Sequence, residues 1–163
     1  PVQSISLAST TFVGQNLGAK DVDRAKKGTK TSLMISIGVT IFLSILLNIF
    51  GNQVLSIFSQ DADVLKYGNI FLRTFSPFYF AICFNQIYAG ALRGAGDSNA
   101  PMVIMLFCFV VFRQITLFFG TQFFSSINFV AFSYPLGWIL CSALLAYYYY
   151  KGKWQKKLNS VVD

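Results

Sequence analysis

Residues suited to acid–base or metal chemistry are few in this chain, and they do not cluster. The chain has no histidine and no glutamate. Its six acidic residues are Asp21, Asp23, Asp61, Asp63, Asp97 and Asp163. Three single cysteines, Cys83, Cys108 and Cys141, lie in apolar stretches without a CxxC pair. Because metal sites and general acid–base pairs need clustered ligands or carboxylates, we predict no metal site, no cofactor and no enzyme activity.

A second set of polar residues lies inside apolar stretches, where such side chains are rare. Tyr79 and Gln86 recur at helical spacing on one face, with Asn85 beside them, and Pro77 should bend this helix because it lacks an N–H. A phenol and amides facing inward suit a cavity for amphipathic cations. We therefore predict Tyr79, Asn85, Gln86 and, in the next stretch, Gln114 as cavity residues. Ordinary hydrogen bonding between helices is the alternative for each of them.

Small polar residues also recur every fourth position in the first long apolar stretch. They are Ser32, Ser36, Thr40, Ser44 and Asn48. This spacing places them in one stripe along a helix that is otherwise made of Ile, Leu, Val and Phe. Close packing against a neighbouring helix and lining of a substrate cavity are the two interpretations of the stripe.

Two arginines, Arg73 and Arg113, lie within apolar stretches. An unpaired charge near the centre of a bilayer costs ~2.5 to 3.5 kcal/mol on insertion scales. Arg73 lies near an end of its stretch and can reach the interface. Arg113 follows Pro101 by about a dozen residues, near or beyond the centre of its helix. We expect this buried charge to meet backbone carbonyls of neighbouring helices or a carboxylate outside this chain.

The elements that must position these residues are four long apolar stretches, 31–50, 68–92, 101–119 and 127–150. Each has roughly 20 residues or more, enough for a helix to cross a hydrocarbon core of ~30 Å. The chain is 55% hydrophobic and 12% charged, which is unusual for a soluble domain. These features predict an all-α, polytopic membrane protein. Pro135, together with Gly137, is expected to bend the last helix as Pro77 bends the second.

Basic residues predict the orientation, because cytoplasmic loops carry an excess of Lys and Arg. Ten of them fall on one side: Lys20, Arg24, Lys26, Lys27, Lys30, Arg93, Lys151, Lys153, Lys156 and Lys157. Only Lys66 lies in a loop on the other side. A cytoplasmic C-terminal tail at 151–163 follows, anchored at the interface by the tyrosines 147–150. Since the charges flank helix ends, membrane lipids are the expected partner and nucleic acid is not.

The segment 1–18 is too short to cross a membrane alone and has the composition of a helix end, so we expect further chain to precede Pro1. Gly18 is predicted to end this helix and Asp21 to cap the next one. Here the sequence resembles the multidrug and toxic compound extrusion (MATE) transporters, whose lobes carry Gly-Gln-x-x-Gly-Ala at such a turn. The matching residues are Gln15, Gly18 and Ala19.

A second turn carries the same resemblance, since that family has Arg-Gly-x-Gly-Asp before its next helix. The matching residues are Arg93, Gly94, Gly96 and Asp97. We predict a structural role for them: the glycines permit a tight turn, Asp97 caps the following helix, and Arg93 holds the terminal carbonyls of the preceding one.

The resemblance implies that this chain is the end of helix 8 plus helices 9–12, a partial C-terminal lobe, of a two-lobed, twelve-helix transporter. It implies secondary active efflux of amphipathic, mostly cationic compounds across the plasma (inner) membrane, coupled to H⁺ or Na⁺ and proceeding by alternating access. The N-terminal lobe would be the partner. The region 81–85 lacks the carboxylate that some branches use for the coupling ion, so that site is expected in the missing lobe.

Two other functions are compatible with the helices. A lipid-linked oligosaccharide flippase of the same superfamily would share the lobed architecture but is not expected to carry both turns. A membrane scaffold subunit without transport activity would explain the apolar stretches but not two signature turns on one membrane face.

Overall fold

The computed structural model describes residues 1–123 and 127–151, apart from the side chains at positions 121 and 123. Within these ranges the regular structure is helical, which confirms the predicted all-α fold. The helices are α1 Val2–Gly18, α2 Val22–Ile49, α3 Gly51–Phe58, α4 Ala62–Phe75, α5 Tyr79–Gly94, α6 Asn99–Leu106, α7 Arg113–Phe123 and α8 Ile127–Lys151. The predicted tail beyond residue 151 and part of the link before α8 lie outside the described residues.

Three helical segments of the described ranges are long and apolar enough to cross a membrane: Val22–Ile49, Asn99–Gly120 and Ile127–Lys151. The second of these runs through α6 and α7, which are joined by a π-helical segment, Phe107–Phe112. These segments are characteristic of an integral membrane protein. Large apolar side chains such as Phe42, Ile45 and Phe118 are exposed along them.

The stretch 68–92 differs from the single helix predicted for it. It is helical throughout, but α4 and α5 are separated by a 3-10 turn, Ser76–Phe78. Each helix is short, with 14 residues in α4 and 16 in α5. The reason is local: Pro77 has no N–H, and its ring clashes with the carbonyl four residues earlier, that of Arg73. By contrast, α8 continues without a break through Pro135.

Helix α5 lies at the centre of the bundle and packs against α1, α2 and α8. Its C-terminal half is almost entirely buried, with Ile87, Ala89 and Leu92 at 0% exposure. Small residues allow neighbouring backbones to approach this helix closely, which is how membrane helices associate without a hydrophobic driving force.

The closest approach is between α1 and α5. The Ser6 hydroxyl donates to the carbonyl of Gln86 over 2.6 Å, and that of Thr10 donates to the carbonyl of Gly90 over 3.0 Å. Because the contacts advance together along both helices, α1 and α5 run parallel. A methyl group on Gly90 would lie 2.9 Å from the Ser6 carbonyl oxygen. Glycine on α5 is therefore required for this helix pair.

Candidate functional site

The first signature turn, between α1 and α2, has a defined hydrogen-bond pattern. The N–H of Lys20 donates to the carbonyl of Leu17 over 3.0 Å, and the N–H of Asp21 donates to that of Asn16 over 2.8 Å. Lys20 has a φ of 60°, so this is a Schellman ending with a left-handed residue. The Asp21 carboxylate then accepts from the N–H of Arg24 over 2.9 Å, as predicted for a helix cap.

The second turn, between α5 and α6, repeats this pattern residue for residue. The N–H of Gly96 donates to the Arg93 carbonyl over 3.0 Å, and that of Asp97 donates to the Leu92 carbonyl over 2.9 Å. Gly96 has a φ of 79°. The Asp97 carboxylate accepts from the N–H of Ala100 over 3.2 Å. The Gly-Ala-x-Asp sequences at the two turns therefore encode one structure twice.

The second turn makes one contact that the first does not. The hydroxyl of Tyr148, on the last helix, donates to the second carboxylate oxygen of Asp97 over 2.6 Å. The turn is thereby tied to α8 as well as to α6.

The other motif residues of the two turns have different surroundings. The Arg93 guanidinium lies 3.5 Å from the Ser6 hydroxyl on α1, whereas we had expected it at the end of its own helix. Gln15 is exposed, and its carbonyl accepts from the N–H of Ala19. Gly18 has no neighbour within 4 Å of an added methyl group.

Four aromatic residues pack together where α4, α5 and α8 meet. Tyr79 stacks on Trp138, with ring centroids 5.9 Å apart. Phe75 meets Trp138 at 5.3 Å and Tyr134 at 5.2 Å. The 3-10 turn at Pro77 lies between Phe75 and Tyr79, so it brings the end of α4 and the start of α5 onto the same rings.

Arg113, the first residue of α7, extends this aromatic group. Its guanidinium lies 3.9 Å from the centroid of the Tyr134 ring and donates to the Tyr134 hydroxyl over 2.7 Å. Its Nε has no hydrogen-bond partner within the described residues. Within this chain the partner is therefore a phenol and its ring rather than backbone carbonyls, and the expected carboxylate outside this chain stays a prediction. Desolvation strengthens such a cation–π contact.

The four predicted cavity residues do not come together. Asn85 is 1% exposed, accepts from the Ser142 hydroxyl over 2.9 Å and donates to the Trp138 carbonyl over 3.3 Å. Its amide therefore joins α5 to α8 in this conformation. Gln86 is partly exposed, and Gln114 is exposed on α7. Tyr79 alone of the four lines one of the cavities described next.

Two cavities lie beside the polar stripe of α2. The larger, about 790 Å³, is bordered by Thr40, Ser44 and Asn48 together with Pro77 and apolar side chains. The smaller, about 200 Å³, is bordered by Tyr79 and again by Thr40 and Ser44.

Toward the N-terminus of α2, residues of the same stripe pack against neighbouring side chains. Ser36 is fully buried, and the Cys83 thiol contacts the Thr40 hydroxyl at 3.2 Å. Both interpretations of the stripe therefore apply: Ser36 is packed, Ser44 and Asn48 border a cavity, and Thr40 does both.

A sequence profile of the MatE family matches residues 1–119 of the chain. The chain belongs to the MatE family. The resemblance of its two turns to the MATE transporters is thereby confirmed.

Individual relatives agree with this assignment. The chain is 32% identical over 108 residues, 66% of its length, to a probable multidrug resistance protein NorM of Pasteurella multocida. It is 31% identical over 157 residues, 85% of its length, to multidrug and toxin extrusion protein 2 of Homo sapiens. It spans only 23% and 26% of these two proteins.

A solved MATE structure has the same fold. It is described as the inward-facing conformation of a multidrug resistance MATE family transporter of the MOP superfamily. The match has a TM-score of 0.81 at 20% identity and covers 90% of this chain and 33% of the other. The helical arrangement of this MatE chain is therefore that of part of a MATE transporter.

Sequence reasoning missed several residues of the MatE turns and their surroundings. The left-handed Lys20 could have been found by aligning the two Gly-Ala-x-Asp sequences. The contact between Tyr148 and Asp97 had no such signal, because a run of tyrosines at a helix end is also typical of an interface anchor. The aromatic group around Trp138 depends on three helices whose relative placement the sequence does not encode locally.

Proposed function

We propose that this chain is the end of helix 8 and helices 9–12 of a cation-coupled multidrug exporter. The whole protein would exchange H⁺ or Na⁺ for amphipathic, mostly cationic compounds by alternating access between two lobes. Membership of the MatE family over residues 1–119 is the observation that supports this proposal most directly. The N-terminal lobe of the same transporter is the proposed partner, in the plasma (inner) membrane, with the C-terminus cytoplasmic.

Tyr79 is the residue we assign most directly to substrate contact. It borders a cavity and is also stacked on Trp138, so its phenol lies between an open volume and an aromatic surface. Such a surface favours organic cations with apolar rings. Gln86 and Gln114, which are not fully buried, are proposed to join the cavity when the second lobe is present. Asn85 would do so only if α5 and α8 separated.

Coupling is assigned to the missing lobe. The chain has no acidic residue between Asp63 and Asp97 and none from there to Asp163, so no carboxylate is available within α5, α6, α7 or α8. The proposed pivots of alternating access are the 3-10 turn at Pro77 and the region of Pro135 in α8. A 3-10 interruption within a helix often marks such a hinge.

Efflux of a fluorescent organic cation from cells expressing the full-length protein tests the proposal. We expect retention of the dye to fall on expression and to recover when the ion gradients are collapsed. Separate collapse of the proton and sodium gradients identifies the coupling ion. Dye retention that does not change on expression would contradict export and favour a scaffold role.

Replacing Tyr79 with alanine should change which dyes are exported, with little change in protein abundance. The physical reason is loss of an aromatic wall of the cavity, worth about 0.5 to 1.5 kcal/mol per aromatic contact. Efflux rates for several cations are measured for this variant, for Gln86→Ala and for Tyr67→Ala, an exposed tyrosine on α4. If Tyr79→Ala and Gln86→Ala lowered only abundance, both residues would have packing roles.

A further inference from the structure

A third cavity lies between α2, α5 and α8, at the end of the bundle where α2 begins. Its volume is about 710 Å³. It is lined by Lys26, Thr29, Lys30, Leu33, Met34, Ile37, Phe84, Tyr88, Tyr149 and Tyr150. It is separate from the cavity that borders Tyr79, and the proposed export mechanism makes no use of it.

One end of this cavity is basic and rich in hydroxyl groups. Lys26 and Lys30 are one helical turn apart on α2, so they project from the same face. The hydroxyls of Tyr88 and Tyr150 lie 3.2 Å from each other. No carboxylate is present among the lining residues. This end therefore presents cations and hydroxyl groups to any ligand that enters it, with no acid among the lining residues.

The other end of the cavity is apolar. It is formed by Leu33, Met34, Ile37 and Phe84. At 1.5 Å per residue, Lys26 and Lys30 lie about 6 and 12 Å from the start of α2, whereas Ile37 lies about 23 Å from it. The cavity is therefore polar near the membrane surface and apolar toward the bilayer interior, which is the polarity gradient of a lipid molecule.

We propose that this cavity binds an anionic phospholipid. The lysines would pair with its phosphate, Tyr150 and Tyr88 would donate hydrogen bonds to the headgroup, and one acyl chain would lie along Met34 and Ile37. Basic pockets between membrane helices bind anionic headgroups by this chemistry. The lipid belongs to the leaflet at the start of α2, the cytoplasmic leaflet in the orientation proposed above. This site requires only an integral membrane protein, so failure of the efflux proposal would leave it standing.

The test is retention of short-chain phosphatidylglycerol by the purified full-length protein, measured by native mass spectrometry against phosphatidylcholine of equal chain length. The variant is Lys26→Gln with Lys30→Gln. We expect it to lose affinity for phosphatidylglycerol by about tenfold or more, because each lysine near an anionic surface contributes roughly fivefold. Retention of phosphatidylcholine should fall much less, because its choline cation offsets the attraction of the lysines for its phosphate.

The matched control is Lys20→Gln with Lys27→Gln, which removes the same charge at the same end of the bundle. Neither residue lines this cavity. An equal loss in both double variants would overturn the site, because it would reflect general attraction to a basic surface. Equal binding of glycerol phosphate and phosphatidylglycerol would also overturn it, since the apolar end would then have no role.

Tyr150 is exposed, so replacing it with phenylalanine should weaken phosphatidylglycerol retention without loss of thermal stability.

Discussion

Alanine in place of Gly94 is expected to destabilise the full-length protein, whereas alanine in place of Gly18 is expected to be neutral or stabilising. The two glycines occupy equivalent positions in the two Schellman turns. A methyl group on Gly94 would collide with the Thr10 carbonyl oxygen of α1 and approach Val13 to 3.1 Å. At Gly18 it would meet nothing within 4 Å. The same substitution is therefore expected to have different effects on stability in two turns of the same type.

Overpacking of this kind costs about 1 to 3 kcal/mol, and more when the obstacle is backbone, as it is at Gly94. At Gly18, alanine gains up to about 1 kcal/mol of helix propensity. The measurement is the thermal unfolding midpoint of the purified full-length protein for Gly94→Ala, Gly18→Ala and the unchanged protein. Equal midpoints for the two variants would show that the α1–α5 contact is not tight in the intact protein. Gly90→Ala, beside Ser6, tests the same helix pair one turn earlier.

Sequence reasoning was most successful where one residue type has one structural consequence. Proline at position 77 predicted a bend, and a 3-10 turn interrupts the helix there. Aspartate at position 21 predicted a cap, and its carboxylate accepts from the Arg24 N–H. Both effects are local, because they depend on the backbone within four residues of the side chain.

The same reasoning was less successful where the outcome depends on which helices meet. Asn85 was predicted as a cavity residue, with hydrogen bonding between helices as the alternative, and in this structure its amide oxygen accepts from Ser142 on α8. Arg113 was expected to meet backbone carbonyls or a carboxylate outside this chain, and within the chain it lies over the ring of Tyr134. In both cases the partner is on α8, more than twenty residues away along the chain. Helical periodicity identifies a face but not the helix that packs against it.

The two Gly-Ala-x-Asp segments differ at one position, the residue with left-handed backbone. The left-handed residue is Lys20 in the first turn and Gly96 in the second. Only glycine adopts this conformation without cost, and a lysine there is disfavoured by roughly 1 to 2 kcal/mol. The Lys20 side chain is exposed, so its charge remains available at the membrane surface where the basic residues collect. Stability at this position is therefore reduced while positive charge is retained.

Removal of the Asp97 carboxylate is expected to cost more than removal of the Asp21 carboxylate, although both accept from an N–H in the first turn of a helix. Loss of a cap costs about 1 kcal/mol. Asp97 also accepts from the Tyr148 hydroxyl over 2.6 Å, and hydrogen bonds to a charged group contribute roughly 1.5 to 3 kcal/mol. Since Asp97 is partly exposed, the lower figure applies. We therefore expect Asp97→Ala to destabilise the full-length protein by about 2.5 kcal/mol and Asp21→Ala by about 1 kcal/mol.

A double-mutant cycle separates the two contributions of Asp97. Tyr148→Phe removes only the hydroxyl, so it should cost about as much as the difference between Asp97→Ala and Asp21→Ala. Once Asp97 is alanine, Tyr148→Phe should add little, because the hydroxyl has already lost its charged acceptor. Unfolding free energies that simply add for Asp97→Ala and Tyr148→Phe would mean that the bond to α8 is absent in the intact protein. A coupling of about 1 kcal/mol or more would establish that the last helix is fastened to the turn between α5 and α6.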